Sequence, residues 1–228
     1  GATNGGHCDG MAATSLRLFN GLPFRQYSTP GSFQPGAAST INLNFPAQPI
    51  ENYITRYFHT QSYIWDSHFV GTPAETVQKL ITDFQKNPSV AYTVAFFLTK
   101  NLAQFDWSDW TQGHAVTAYG IESVSPSEAR ILVYDNNFPN QRKYFTVNLA
   151  TNTWRYVTAA NPGQPENAYE GTAFSQNLRL VPLNARDLPA GQYFPCPFCP
   201  GATVASAEVG ASDMISGELD FEYTGEGA

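Results

Sequence analysis

The sequence predicts an α+β fold in which N-terminal helices pack on an antiparallel β-sheet. Apolar residues recur at helical spacing before about residue 89, and with the two-residue period of strands after it. Short turns such as Asn136-Asn137 and Thr151-Asn152 separate successive strand segments, which favours an antiparallel meander. Helices that come first and strands that follow are typical of the α+β class.

The first predicted helix begins at Cys8 and ends at Asn20-Gly21, because glycine commonly follows the last helical residue. The apolar residues expected on one stripe of this helix are Ala12, Leu16 and Phe19. Residues 22 to 48 contain four prolines among glycines and serines, so we expect a long irregular connection there.

Two further helices are predicted before the strands. Residues 49 to 67 carry apolar side chains at helical spacing. The next helix begins after Thr72, where Pro73 at the first helical position and Glu75 three residues after Thr72 form a capping-box signature. Asn87-Pro88 ends it. Its expected buried face consists of Val77, Leu80, Ile81 and Phe84.

The strand period defines six segments and leaves two loops. The predicted strands cover residues 89–98, 114–121, 130–135, 142–148, 153–157 and 177–183. Residues 158–175 are rich in Asn, Pro and Gly, and residues 200–217 in Gly, Ala and Ser, so both are predicted to be loops. We therefore expect one domain over residues 1–199 and a flexible acidic extension over residues 200–228, with an edge-strand pattern at 218–224.

The composition argues against nucleic-acid binding and membrane insertion. Charged residues make up only 14% of the 228 residues, against about a quarter in an average protein. Six of the 19 acidic residues lie in residues 201–228, where there is no Lys or Arg, so the first 200 residues carry 13 acidic and 12 basic residues. A nearly neutral domain lacks the basic surface that phosphate backbones require. The longest apolar run, Val94 to Leu98, is far shorter than the roughly 20 residues that span a bilayer.

Three cysteines are present, and their arrangement separates one close pair from a distant third residue. Cys196 and Cys199 are two residues apart in a Pro-rich segment, whereas Cys8 is far away in sequence. The odd count predicts a local disulfide plus one free thiol. Three reduced thiols, a redox-active dithiol or half of a zinc site are the alternatives.

Three residues carry the candidate chemistry. Cys8 follows glycines and opens a helix, whose N-terminal N–H groups and dipole stabilise a thiolate. His114 begins an otherwise apolar strand, and Asp135 ends the next strand, so a hairpin would place the two side by side. A carboxylate there fixes the histidine tautomer and favours the imidazolium that accompanies a thiolate. Asn136 or Asn137 could orient the histidine instead.

This arrangement resembles papain-like cysteine peptidases, in which Cys, His and Asn or Asp follow one another along the chain. The likeness is nearest to the bacterial branch that resembles bacteriocin leader-processing (double-glycine) peptidases. The matching stretches are Gly6-His-Cys-Asp-Gly-Met11, Gly113-His-Ala-Val116 and Val133-Tyr-Asp-Asn136. The resemblance covers residues 5 to about 157. It implies a papain-like fold and a Cys8-His114-Asp135 triad.

One departure from the family pattern concerns the oxyanion site. The family glutamine lies six residues before the cysteine, and position 2 of this chain is Ala. The backbone N–H of Cys8 can serve as one oxyanion donor, and Asn4 is the candidate for the second. Trp107, Trp110 and Gln112 precede His114 and are candidates for one wall of a substrate cleft.

The expected function is hydrolysis of a peptide or amide bond through a thioester, with no metal or organic cofactor and a peptide or protein as substrate. A cell-wall endopeptidase or an acyltransferase using the same triad is an alternative. The alternative from another class is a non-catalytic binding or adhesion module on the same scaffold. Few lysines, many Asn, Thr, Ser and Gln, and the predicted disulfide suggest a secreted or extracytoplasmic bacterial protein.

Thiol counting under denaturing, non-reducing conditions tests the cysteine assignment. We expect one reactive thiol per chain, that of Cys8, because Cys196 and Cys199 are predicted to be bonded to each other. Three free thiols in protein isolated from its native compartment would contradict this expectation.

Overall fold

A computed structural model describes residues 7–22, 27–44, 49–61, 64–87, 90–98 and 112–187 of the chain. Within these residues there are four α-helices and one sheet of eight strands. The helices are α1 (Cys8–Phe19), α2 (Pro30–Phe33), α3 (Ile50–Thr60) and α4 (Pro73–Lys86). The strands are β1 (Phe69–Val70), β2 (Tyr92–Phe97), β3 (Gly113–Ser125), β4 (Glu128–Tyr134), β5 (Lys143–Asn148), β6 (Thr153–Thr158), β7 (Asn167–Thr172) and β8 (Leu178–Pro182).

All of the described strand pairs are antiparallel, and the sheet order is β1-β8-β2-β3-β4-β5-β6-β7. Strands β2 to β7 form a meander in chain order. The antiparallel meander was predicted, but its last strand, β7, was not. β8 then returns to pair with β2 on its other side. This return brings the residues after β8 next to the first helix, although they lie about 170 positions later in sequence. The mixed helix-and-sheet architecture agrees with the predicted α+β class.

Four elements differ from the predicted ones, apart from small shifts at the ends of several strands. The segment 158–175, predicted to be a loop, contains β7, in which Tyr169 and Gly171 are buried and their neighbours are exposed. The two-residue strand β1 was not predicted. The expected helix over 49–67 ends at Thr60 and is followed by a 3-10 turn at Trp65–Ser67. Within the irregular connection 22–48, the short helix α2 has its own capping box at Thr29.

Helix α1 is buried on most of its surface. Its buried residues are Asp9, Gly10, Ala12, Ala13, Thr14, Ser15, Leu16 and Leu18. The helix packs against α3, β2 and β3, and Thr117 of β3 donates its hydroxyl to the Ala12 carbonyl at 3.1 Å. The prediction that Phe19 shares the buried stripe is wrong, because this last helical residue is 81% exposed and Leu18 is buried instead.

The core consists of two apolar clusters that lie on opposite sides of β2 and β3. Even-numbered residues such as Val94, Phe96 and Val116 join a cluster with α4 and with strands β4 to β8. Odd-numbered residues such as Thr93 and Thr117 donate hydrogen bonds to residues of α1. A second apolar cluster on this side joins α1 and α3. Alternation along a strand therefore separates the two layers.

The predicted start of α4 is confirmed in atomic detail. The Thr72 hydroxyl accepts from the Glu75 N–H at 3.3 Å, and the Glu75 carboxylate accepts from the Thr72 N–H at 2.8 Å. These reciprocal bonds satisfy two N–H groups that have no intrahelical partner. The helix ends at Lys86, with Asn87 as the C-cap residue.

No helix among the described residues is long and apolar enough to cross a bilayer. The described residues all belong to one compact unit. Cys196, Cys199, the boundary expected at 199/200, the loop over 200–217 and the strand pattern at 218–224 lie outside the described residues.

Replacement of Gly10 by alanine tests the contact between α1 and α3. A Cβ at this position would lie 2.0 Å from the Ile54 carbonyl oxygen, so the two helices would have to move apart. We expect Gly10→Ala to lower the free energy of unfolding by about 1–3 kcal/mol, whereas helix propensity alone predicts a gain of about 1 kcal/mol. Urea denaturation gives the sign.

Gly163→Ala is the matched control for this experiment. Its Cβ would lie 3.5 Å from Asn161 Oδ1, an ordinary contact, and we expect a change within about 0.5 kcal/mol. A stabilised Gly10→Ala protein would contradict this expectation, because it would show that α1 and α3 accommodate a methyl group at this contact.

Candidate active site

Cys8 is the first residue of α1 and is partly exposed. Residue 7, the N-cap, makes no side-chain capping bond. The N–H groups of the first turn and the positive end of the helix dipole therefore act on the thiol. Within the described residues Cys8 is not in a disulfide. This is the environment in which a cysteine becomes a nucleophile.

His114 is the second residue of β3 and is 2% exposed. It lies opposite Phe96 of β2, and the two rings meet edge to face with centroids 5.5 Å apart. Phe96 in turn contacts the rings of Phe145, Tyr156 and Tyr169. The imidazole is thus held against a rigid aromatic cluster, which restricts its orientation.

Asp135 follows β4 directly and is completely buried. Its Oδ1 accepts from His114 Nε2 and from the Asn137 N–H, both at 3.0 Å. Its Oδ2 accepts from the Tyr156 hydroxyl at 2.8 Å and the Thr158 hydroxyl at 2.7 Å. Four donors compensate the cost of burying this carboxylate, and they fix the direction of the oxygen that holds the histidine.

Tyr156 and Thr158 were not recognised as part of the site from sequence. They stand two positions apart on β6, so both side chains point to the buried face of the strand, where Tyr156 joins the aromatic core. The only signal was that two hydroxyl side chains recur at a two-residue spacing on a buried strand face, where a buried O–H needs an acceptor. The acceptor is more than 20 residues away, so the pairing was not readable locally.

The charges of the site favour a protonated histidine. Burial lowers the pKa of His114, but the hydrogen bond to Asp135 and the interaction with Cys8 raise it to about 9 overall. Burial raises the pKa of Asp135, and the bonds from His114 and Thr158 outweigh this effect and lower it. Burial and the negative charges of Cys8 and Asp135 raise the pKa of Tyr169, which places Tyr169 near both groups.

One imidazole nitrogen is available to the cysteine. Nε2 is engaged by Asp135, and Nδ1 is buried without a hydrogen bond of regular geometry to any described residue. Cys8 nevertheless lies close enough to raise the pKa of His114. The two findings fit a thiol that lies near the imidazole but is not aligned for a regular hydrogen bond to Nδ1.

The asparagines after Asp135 have other partners. Asn136 accepts from the Ser15 hydroxyl of α1 at 2.8 Å. Asn137 donates its side-chain N–H to the Ala159 carbonyl at 2.7 Å. Among the described contacts the histidine is therefore oriented by Asp135, and the two asparagines tie the turn to α1 and to the end of β6.

Gln112 is exposed in the turn that leads into β3, two residues before His114. The other predicted oxyanion and substrate residues, Asn4, Trp107 and Trp110, lie outside the described residues. The described part of the chain contains no group of three or more His, Cys, Asp or Glu side chains arranged to hold a metal ion.

A cavity of about 910 Å³ lies at the other end of α1, away from Cys8. Its walls come from the last turn of α1, from α4 and from the middle of β3, and neither Cys8 nor His114 lines it. Its largest apolar side chains include Leu16, Phe19, Ile81 and Phe84. The triad and this cavity are separate features of the domain.

Comparison with protein-family models, with curated proteins and with solved structures finds no match to this chain. The chemistry of the site must therefore be inferred from its own geometry.

The pH dependence of stability tests the charge state of His114. Its pKa is raised from 6.5 to about 9 in the folded protein, so the protonated form stabilises the fold. This stabilisation is fully present below pH 6.5 and is lost as the pH rises through 9. We expect the free energy of unfolding to fall across this window, as measured by urea denaturation at a series of pH values.

His114→Gln should flatten the slope in this window, whereas His59→Gln, at an exposed position, should leave it unchanged. A slope that survives in His114→Gln would assign the titration to another group.

Proposed function

We propose that this chain is a cysteine peptidase or amide hydrolase that acts through Cys8, His114 and Asp135. The observation that carries the proposal is the buried 3.0 Å bond between His114 Nε2 and Asp135 Oδ1, with Cys8 at a helix N-terminus next to the same imidazole. A nucleophile, a base and a group that orients the base are the parts that covalent acyl transfer needs.

The first half of the proposed reaction forms a thioester. The Cys8 thiolate adds to the acyl carbonyl, and its sulfur–carbon bond forms as the carbonyl electron pair moves to oxygen. The oxyanion then collapses, the carbon–nitrogen bond breaks, and protonated His114 transfers its proton to the leaving amine. The raised pKa of His114 suits this step, because the imidazole holds a proton at neutral pH.

The second half releases the product. Neutral His114 accepts a proton from water as the water oxygen attacks the thioester, and the carbon–sulfur bond breaks to return the Cys8 thiolate. Asp135 stays ionised and keeps Nε2 protonated in both halves, so that Nδ1 carries the transferred proton. The Cys8 N–H is proposed as one donor to the oxyanion and Asn4 as the second.

A helix with a cysteine at its start, packed on an antiparallel sheet that supplies the histidine and the aspartate, supports a papain-like scaffold for this proposal. The substrate proposed is a peptide or protein amide. Acyl transfer to an amine shares the first half of the reaction and differs only in the acceptor. Product analysis in the presence of a lysine-type amine separates the two, because a hydrolase gives mainly the acid and an acyltransferase mainly the amide.

Substitution of the triad tests the proposal, with p-nitrophenyl acetate as acyl donor. Cys8→Ala should abolish the acylation burst because it removes the nucleophile. His114→Ala should be nearly as damaging, because it removes the proton shuttle and the cation that accompanies the thiolate. Asp135→Ala should be milder, since it removes an orienting group, although it also leaves two buried hydroxyls without their acceptor.

Alkylation by iodoacetamide provides a readout that does not depend on the choice of substrate. Iodoacetamide reacts with the thiolate, and at pH 6 an ordinary thiol is mostly protonated. Under the proposed mechanism His114 and the helix N-terminus favour the thiolate of Cys8, so native Cys8 should react much faster than the same cysteine in the denatured chain. Equal rates would refute the proposed activation of Cys8 and favour a non-catalytic binding module. A Cys8→Ala protein with the wild-type burst would refute Cys8 as the nucleophile and assign acylation to another residue.

A further inference from the structure

The residue after the candidate nucleophile takes part in a buried ion pair. Asp9 is 2% exposed and Arg186 is fully buried. Arg186 binds the carboxylate of Asp9 with both terminal nitrogens, Nη1 to Oδ2 and Nη2 to Oδ1, each at 2.6 Å. Two parallel bonds from a planar guanidinium fix both the distance and the plane of the carboxylate.

The same guanidinium holds two more elements. Nη1 donates to the Tyr57 carbonyl at 3.1 Å and to the Thr60 hydroxyl at 3.0 Å, both in the last turn of α3. Nη2 donates to the Thr93 hydroxyl of β2 at 2.8 Å. Arg186 therefore connects the first turn of α1 to α3 and to the sheet that carries His114.

A buried ion pair is weak evidence for a stabilising role. Both charges are removed from water, and the desolvation cost of a buried pair can exceed the attraction between its members. Apolar side chains of similar volume would often serve the fold as well. What the pair adds is a fixed direction for the residue next to Cys8.

The pair also affects the charge around the thiol. Of the described groups on other elements, His114 of β3 and Tyr169 of β7 interact electrostatically with Cys8, and Asp9 follows it on α1. A carboxylate next to a thiolate disfavours the thiolate. The guanidinium of Arg186 neutralises this carboxylate.

We propose that Arg186 is a positioning residue of the active site: by binding Asp9, it holds the first turn of α1 where Cys8 meets His114, and it neutralises the negative charge next to the thiolate. This inference rests on the function proposed above. The inference has two parts, the position of the first turn of α1 and the charge next to the thiolate. Different variants test the two parts separately.

Three variants test the inference. Arg186→Met leaves the Asp9 carboxylate unpaired, whereas the double variant Asp9→Asn/Arg186→Met also removes that charge. Arg17→Met is the matched control, because Arg17 forms an ion pair with Asp187 between the same two segments but near the far end of α1. Two rates are measured: acylation by p-nitrophenyl acetate, and iodoacetamide alkylation of Cys8 as a function of pH. Circular dichroism confirms that each variant is folded in the assay.

We expect Arg186→Met to slow acylation by about 10- to 100-fold, as a small misplacement of reacting groups does, and to move the midpoint of the alkylation profile to higher pH. The double variant should regain the wild-type midpoint but keep the slow acylation. Arg17→Met should match the wild type in both rates. A role in stability alone would shift the unfolding curve and leave both rates per folded molecule unchanged.

Wild-type rates and midpoint in folded Arg186→Met would overturn the inference. If that variant does not fold, wild-type acylation in the folded double variant would overturn it, as would equal losses in Arg17→Met. These outcomes differ from failure of the proposed function, in which wild-type Cys8 itself reacts no faster than the denatured thiol.

Discussion

Helix α1 is enclosed between α3 and the sheet, and the position of Cys8 follows from this enclosure. A helix enclosed on most sides cannot shift without disturbing every layer. Gly10 lets α3 approach to backbone contact, and Thr117 holds the helix on β3 through the Ala12 carbonyl. Ser15 ties it to the turn after Asp135. The cysteine at the start of this helix therefore has a defined position relative to the histidine and aspartate on the sheet.

Two buried carboxylates belong to this region, Asp9 next to Cys8 in the chain and Asp135 bonded to the imidazole of His114, and the protein compensates them differently. Asp9 is bound by a guanidinium, which stays charged at all physiological pH values. Asp135 is held by the titratable His114 and by neutral N–H and O–H donors. The first arrangement is fixed in charge and suits a role in positioning. The second includes a group that can gain or lose a proton, as the proposed reaction needs.

The interaction of Cys8, His114 and Asp135 explains why a deeply buried imidazole keeps a raised pKa. Desolvation alone would favour the neutral ring. The carboxylate on one side and the thiol on the other reverse this preference. An imidazolium that is already formed would hold the proton that the proposed reaction delivers to a leaving amine.

Much of the fold and part of the site follow from short-range signals in the sequence. Three features depend on residues within a few positions of one another: the start of α1 at Cys8, the capping box at Thr72, and the strands β2, β3 and β4, of which β3 carries His114. The hairpin of β3 and β4 was enough to predict that His114 and Asp135 meet, because their strands are consecutive.

Other features depend on packing between distant segments. Tyr156 and Thr158 bond to a carboxylate more than 20 residues away, and Arg186 bonds to Asp9 across 177 positions. Phe19 was wrongly expected to be buried, because a helical stripe does not show where the core ends. The strand β7 was predicted to be a loop, because its burial depends on pairing with the neighbouring strand β6. Local sequence patterns were sufficient to indicate a helix start, the strands and a candidate triad. The partners of the buried polar groups depend on packing, because a buried donor or acceptor bonds to whichever group the folded chain brings within reach.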